Sequence, residues 1–293
     1  MTLEVAIVLG IKLSIALSVF AHGLNATMSE ITYLFRHPRR FAKSILAIDI
    51  VMPLFALLVL AITDLPAPIR LALAALSVSP VEVIAPKRPV RVGSVDQYFV
   101  GLLVAISLIA LVFVPLSVEL LGRVRGVEAQ VPVSKVALLM AVTVLGPLIA
   151  GVAVRNLRPG FAEKAAGPLA KLSAILLILC VLPILPGALP KVWFLVGDGA
   201  LASFAAFALV GLAVGHFLGG PDPEDRTVLA IATASRHPAV ALAIAASSFP
   251  SEKLVVPAIL MYLLVNGLVS LLYVFWRKRC VPALHPLATV RRI

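Results

Sequence analysis

Residues 228–246 read Val-Leu-Ala-Ile-Ala-Thr-Ala-Ser-Arg-His-Pro-Ala-Val-Ala-Leu-Ala-Ile-Ala-Ala, an apolar stretch interrupted near its centre by Arg236, His237 and Pro238. Its apolar length suits a membrane helix, but proline removes a backbone donor and disfavours helix in the residue before it. A charged side chain at the bilayer centre costs at least about 2.5–3.5 kcal/mol, so it normally faces a partner or a cavity. The stretch therefore predicts a broken membrane helix with a polar break.

The composition of the whole chain agrees with a membrane protein. Of its 293 residues, 61% are hydrophobic and only 13% are charged, and the mean hydropathy is +1.08. Soluble domains are roughly 45–50% apolar and about 25% charged, and disordered chains are still more polar. These values exclude a soluble enzyme, a nucleic-acid binder and a disordered chain. With two cysteines and no enzyme motif, we expect no catalytic activity, no metal site and no bound cofactor.

Apolar runs between clusters of proline, glycine and charge predict nine membrane helices. Each needs about 20 apolar residues. The predicted spans are 4–22, 41–62, 67–92, 95–121, 132–154, 162–186, 192–218, 223–248 and 253–276. The third span is interrupted like the eighth, because it contains Pro80, Pro86 and Pro89. We therefore predict an all-α polytopic membrane protein, with residues 1–293 forming a single integral membrane domain.

The basic residues are unevenly distributed over the predicted loops. If the N-terminus lies outside, 14 of the 25 Lys and Arg residues fall on the inner side, six on the outer side and five within spans. The inner ones are Arg36, Arg39, Arg40, Lys43, Arg91, Arg155, Arg158, Lys164, Arg226, Arg277, Lys278, Arg279, Arg291 and Arg292. Because cytoplasmic loops are rich in Lys and Arg, we predict a bacterial-type inner-membrane protein with a cytoplasmic C-terminus and a basic tail at 280–293.

The two interrupted helices carry a matching motif. Residues 85–89 read Ala-Pro-Lys-Arg-Pro and residues 234–238 read Ala-Ser-Arg-His-Pro, so both follow Ala-x-basic-basic-Pro when His counts as basic. An odd number of steps separates the two helices, so they run in opposite directions. Paired broken helices at corresponding positions are typical of secondary transporters built from inverted repeats. We predict a first repeat of four helices at 1–122 and a second of five at 130–279.

The two breaks supply the predicted site for a small anion. Half-helix N-termini carry partial positive charge, to which the basic side chains of the breaks add formal charge. The predicted solute-binding residues are Lys87, Arg88, Arg236 and His237. The breaks themselves are assigned to Pro80, Pro86, Pro89 and Pro238.

Asp49, Glu82 and His237 are the candidates for coupling solute movement to an ion. Asp49 lies four residues before Pro53, deep in the second span. It either exchanges a proton when the solute displaces a pairing with Arg236, or remains permanently ion-paired. His237 titrates closest to neutral pH, but a hydrogen bond to a freed carbonyl is the alternative role.

Several further stretches, taken in order along the chain, resemble the bile acid:sodium symporter family. They are Gly23-Leu24 with Thr27, the run 34–38, Met52-Pro53, the run 64–80 and the run 226–249. The full pattern of that family is ten helices in two inverted repeats, with broken crossing helices, divided into a panel domain and a core domain. The nine predicted spans match members that lack the first helix. The resemblance also implies secondary active transport coupled to sodium.

The chain departs from the family pattern where that family binds sodium. The first crossover usually reads Pro-Gly-Gly-x-x-Ser-Asn, and the second has a glutamate followed by Gln-Asn. The Ser-Asn positions here hold Ala85 and Pro86, and the Glu, Gln and Asn positions hold Ala232, Arg236 and His237. Sodium needs oxygen ligands, and arginine has none to offer. We therefore predict fixed cationic side chains where family members bind sodium.

Three functions remain open. The leading one is a secondary active transporter that moves a small anionic organic solute by alternating access around the two breaks. The second retains sodium coupling through backbone carbonyls with Glu82 or Asp49, and the third is an uncoupled anion channel or facilitator, against which the lack of a pore motif argues. The expected partners are the solute and the bilayer, with no nucleic acid. The solute's identity, the coupling ion (sodium or proton), the direction and the oligomeric state are not specified.

Overall fold

The computed structural model describes residues 3–81, 94–124, 138, 141–183, 199–237, 240–242, 244–245, 252 and 254–280. Regular structure within these ranges is entirely helical, which confirms the predicted all-α class. The helices are α1 (Leu3–Asn25), α2 (Met28–Ile31), α3 (Tyr33–Arg36), α4 (Pro38–Ile62), α5 (Ala67–Val78), α6 (Ser94–Val124), α7 (Ala141–Leu157), α8 (Pro159–Val181), α9 (Ala200–Leu218), α10 (Pro223–Ala234) and α11 (Val255–Cys280).

Three of these helices, α4, α9 and α11, are long and apolar enough to cross a membrane. Shorter apolar helical segments lie at Leu9–Asn25, Ala67–Val78, Tyr98–Ala110 and Ala141–Leu157. Large apolar side chains point outward from the long helices, among them Leu58, Leu209 and Leu268, as lipid contact requires. The predicted spans 4–22, 41–62, 95–121 and 253–276 agree with α1, α4, α6 and α11 to within four residues at each end.

Helices α4 and α7 each contain a π-helical stretch, at Leu46–Val51 and Ala141–Leu145. Both stretches end two residues before a proline, Pro53 in α4 and Pro147 in α7. Proline has no N–H to donate to a carbonyl of the preceding turn, so main-chain acceptors are left free there. In α4 one of these acceptors is used by the candidate site.

The helices form two groups. The three-helix group consists of α1, α7 and α8, and the crossing-helix group consists of α4, α5, α6, α9, α10 and α11. Within the three-helix group, the backbones of α1 and α7 touch at Gly23 and Gly151. A Cβ atom on Gly23 would lie 2.6 Å from the Leu148 carbonyl oxygen and 2.9 Å from the Gly151 Cα. Small residues of this kind allow membrane helices to approach closely.

Within the crossing-helix group, α9 and α10 also pack backbone to backbone. Gly211 and Gly215 of α9, and Gly219 directly after it, recur every fourth residue and face α10. A Cβ atom on Gly215 would lie 2.4 Å from the Leu229 carbonyl oxygen and 2.5 Å from the Ala230 Cα. This contact fixes α10, and with it the residues that follow α10.

Helices α5 and α10 have matching lengths and matching ends. Each has 12 residues and a proline in its first turn. Each ends at a serine with extended backbone, Ser79 at φ −70° and ψ 144° and Ser235 at φ −77° and ψ 135°. After α10, residues 235–237 are not helical, and helix is present again at 240–242 and 244–245.

Candidate functional site

The segments that follow α5 and α10 contact each other directly. The His237 backbone N–H donates to the Pro80 carbonyl oxygen at 2.8 Å, and both residues are buried. Non-helical backbone at membrane depth needs such internal partners, because lipid offers none. The ends of α5 and α10 therefore meet at one point inside the crossing-helix group.

Arg236 lies at this point and is only 2% exposed. Its Nη1 donates to the Ser79 carbonyl oxygen at 3.3 Å, and its Nη2 donates to the Ile48 carbonyl oxygen at 3.2 Å. The guanidinium carbon also stands 5.7 Å from the centre of the Phe207 ring, within cation–π range. The side chain thus joins the end of α5 to the π-helical stretch of α4.

Asp49 is the carboxylate that the sequence predicts as the partner of Arg236. It is buried in the π-helical stretch and is 7% exposed. No ion pair joins Asp49 to Arg236 within the described ranges, and the Asp49 Oδ2 has no hydrogen-bond partner there. The Arg236 Nε also lacks such a partner. Asp49 therefore follows a residue that Arg236 contacts, but it does not itself form a contact pair with the guanidinium.

Aromatic side chains close the other side of Arg236. Tyr262 of α11 is fully buried and donates its hydroxyl hydrogen to the carbonyl oxygen of Ala234, the last residue of α10. Its ring meets Phe204 and Phe207 edge-on, with ring centres 5.8 Å apart in both cases. The end of α10 is thus held by a hydrogen bond and a rigid aromatic cluster.

A small cavity lies where the three-helix group faces the crossing-helix group. His22 of α1 lines it from one side, and His237 and Ser107 line it from the other. Most of the remaining lining is apolar, for example Val19 and Leu103. The cavity has room for about two water molecules. It is a mainly apolar space with an imidazole on each side.

The two histidines of this cavity differ in how visible they are in the sequence. His237 belongs to the motif of the second break, is 6% exposed, and has a buried Nδ1 without a hydrogen-bond partner among the described residues. His22 was not predicted, because one histidine in the last turn of an apolar helix forms no pattern. The neighbouring Gly23 is the sequence feature that could have indicated it. Close approach of α1 to α7 at this glycine places His22 where the three-helix group faces the crossing-helix group.

A second polar cluster lies near the start of α4 and of α10. Arg40 Nη1 and Asp225 Oδ2 form an ion pair at 3.0 Å, and the Asp225 side chain is 4% exposed. Arg40 also donates to the Tyr33 hydroxyl, and the Ser44 and Tyr98 hydroxyls are 3.0 Å apart. Burial raises the pKa of the Tyr33 hydroxyl, and the positive charge of Arg40 partly offsets this rise. None of these residues was predicted as a site, because the cluster joins positions far apart in sequence.

Several predicted residues lie outside the described ranges. They are Glu82, Pro86, Lys87, Arg88, Pro89 and Pro238. The structure therefore brings together Asp49, Pro80, Arg236 and His237 from the predicted set. Among the described residues, no group of three or more His, Cys, Asp and Glu side chains is placed to hold a metal ion.

Comparison with known proteins gives one positive result. A family model described as the Sodium Bile acid symporter family matches residues 12–190, which is more than half of the chain. No curated protein matches the chain. Proteins of this family are transporters of the symporter type, embedded in the membrane, and not enzymes. This chain belongs to the sodium bile acid symporter family.

Proposed function

We propose that this protein is a secondary transporter that moves a small anionic organic solute across the membrane by alternating access around the two helix breaks. The observation that carries the proposal is the buried Arg236 guanidinium. It binds carbonyl oxygens at the end of α5 and in the π-helical stretch of α4. The positive charge is thus built into the meeting point of the two breaks.

Arg236 takes the role that sodium has in the family. A sodium ion in an unwound segment is held by oxygen ligands, and Arg236 binds two main-chain oxygens through its own N–H groups. Arginine stays protonated inside proteins, so this cation cannot dissociate during the transport cycle. Transport by this chain therefore proceeds without sodium.

The cavity indicates the kind of solute. Its apolar lining suits the hydrocarbon part of a small molecule, and its two imidazoles suit an acidic group. Lys87 and Arg88, on the other break, add positive charge in this proposal. Proton coupling is assigned to Asp49, Glu82 and His237, since sodium coupling is lost.

The two helix groups account for alternating access. The three-helix group corresponds to the panel domain and the crossing-helix group to the core domain. The equal lengths and serine ends of α5 and α10 support inverted repeats at 1–122 and 130–279 in a nine-helix chain. Movement of one group against the other opens the cavity to either side, with the C-terminus on the cytoplasmic side of a bacterial-type inner membrane.

Uptake into liposomes tests the proposal. The purified protein is reconstituted, and uptake of short-chain organic acids is measured with a sodium gradient, a proton gradient or a membrane potential imposed one at a time. We expect saturable uptake that persists when all sodium is replaced by choline. Protein-free liposomes provide the control for passive leak.

Two results would overturn this proposal. Strict sodium dependence would favour a sodium symporter, for which the buried Asp49 with its unpartnered Oδ2 is the candidate ligand. Non-saturable passage of many anions would instead favour a channel. The variant Arg236→Gln adds a test of the site, because we expect a folded variant without the Arg236 charge to lose acid uptake, and unchanged uptake would contradict the role given to Arg236.

A further inference from the structure

His22 and His237 face one cavity from the two helix groups. His22 belongs to α1 of the three-helix group, and His237 follows α10 of the crossing-helix group. Within the described part of the chain, the His237 Nδ1 is buried without a hydrogen-bond partner, and His22 makes no side-chain hydrogen bond. Two imidazoles are thus available to something that enters the cavity.

The position of His22 is fixed by its neighbour. Gly23 brings the α1 backbone against Gly151 of α7, so α1 cannot rotate without moving α7. His237 is fixed as well, because its backbone N–H donates to the Pro80 carbonyl oxygen. Preorganised side chains of this kind bind a ligand without losing further conformational freedom.

We propose that His22 binds the carboxylate of the transported solute, and that His237 binds the same carboxylate from the other helix group. A carboxylate accepts hydrogen bonds on both oxygens, and each imidazole offers at least one N–H donor. The apolar lining around Val19 and Leu103 then receives a short hydrocarbon chain. This inference rests on the proposed transport function and names its solute class, a short-chain monocarboxylate.

Binding at this place links the solute to movement. The cavity has room for about two water molecules, so the two groups must separate before a monocarboxylate can enter. A carboxylate held by His22 and His237 bridges the groups and draws them together again. Occupancy of the site and the relative position of the groups are therefore coupled through the two histidines.

The test measures binding of short-chain monocarboxylates and of their uncharged amides to the purified full-length protein. Thermal shift identifies the acids that bind, and calorimetry gives the affinities. His22→Phe keeps a flat ring but removes the donor, and His22→Asn keeps an N–H donor. Lys12→Gln is the matched control, because Lys12 is on the same helix but exposed.

We expect wild type to bind acids in preference to amides. His22→Phe should weaken acid binding about 10- to 100-fold, since a hydrogen bond to a charged group is lost, and leave the weak amide binding unchanged. His22→Asn should retain part of the preference for acids, and Lys12→Gln should behave as wild type. If His22→Phe does not fold, the acid-to-amide ratio of His22→Asn is compared with that of wild type, and a reduced ratio is expected.

The outcomes separate this inference from the proposed function. If wild type neither binds nor takes up any of the acids, the proposed function fails, and the inference fails with it. If wild type takes up acids but the His22 variants keep its affinity and acid-to-amide ratio, only the role of His22 is overturned.

Discussion

Arg236 and His237 are adjacent at the second break, but their side chains have opposite environments. The Arg236 guanidinium donates to two main-chain oxygens and stands over Phe207. The His237 ring lines the cavity with a buried, unpartnered Nδ1, and only its backbone N–H is used, toward Pro80. One side chain is committed to contacts within the protein, and in the proposed function the other side chain meets the solute.

In the sequence, Arg236 and His237 form one basic cluster with one predicted role, solute binding. Their different surroundings suggest two roles, one in stability and one in binding. Replacing Arg236 should affect the folded state first, because its partners are parts of the protein. Replacing His237 should affect binding first, because its ring has no partner among the described residues. Thermal stability and solute affinity measured on the same variants therefore test the comparison directly.

The largest loss of stability is expected from Arg236→Met. This change leaves the carbonyl oxygens of Ser79 and Ile48 without their donor, and each buried unpaired group costs about 1–3 kcal/mol. Relief of the buried charge offsets part of this cost, so we expect a net loss of about 2–4 kcal/mol. The measurement is thermal or denaturant unfolding in detergent micelles.

Arg236→Lys is the matched control for the charge alone. Lysine keeps a positive charge but cannot reach two oxygens with a planar fork, so it should recover only part of the lost stability. Wild-type stability in Arg236→Met would show that the two carbonyl contacts are not needed. Arg236 would then not differ from His237 in its contribution to stability.

Gly215→Ala should give the next largest effect. The added methyl group would overlap the backbone of α10 at Leu229 and Ala230, and overpacking of this kind costs about 1–3 kcal/mol. Because α10 leads into Arg236, the variant also displaces the residue at the centre of the comparison. Stability is measured as before.

Gly267→Ala provides the control for Gly215→Ala. Gly267 lies in helix α11, and a Cβ atom there would meet nothing within 4 Å among the described residues. Alanine is the better helix former, so the control should be neutral or slightly stabilising. Equal effects of the two changes would show that α9 and α10 do not need their close contact.

Arg40→Met should cause a smaller loss of stability. In the described part of the chain, Arg40, unlike Arg236, forms an ion pair with a carboxylate, that of Asp225. Asp225 is left without its partner, but Arg40 is 38% exposed, so solvent screens much of the interaction. We expect a loss of about 1–2 kcal/mol, smaller than for Arg236. The double variant Arg40→Met/Asp225→Asn should recover part of it, and strictly additive losses would rule out a coupled pair.

The helices were predictable because their signals are local. Apolar runs placed α1, α4, α6 and α11 within four residues, Pro80 indicated where α5 stops, and the motif at 234–238 indicated a stop near Arg236. These features depend on hydropathy and on backbone chemistry within a few residues of each position. The family was recognisable for the same reason, from short motifs in order.

The partners of the site residues were less predictable, because they depend on how distant helices meet. Arg236 was expected to pair with Asp49, but it donates to main-chain oxygens of Ser79 and Ile48, and main-chain acceptors carry no sequence signal. His22 reaches the cavity only through the packing of α1 on α7. No local pattern encodes either contact.

The smallest change in stability is expected from His237→Asn. The backbone N–H that donates to Pro80 remains, and the imidazole that is removed has no partner among the described residues, so the loss of stability should be about 1 kcal/mol and should come from the smaller volume of the buried asparagine. Binding of a short-chain monocarboxylate should nevertheless fall about tenfold, because asparagine is shorter than histidine and presents its donor farther from the cavity. A stability loss as large as that of Arg236→Met, with unchanged affinity, would place His237 in the same structural role as its neighbour.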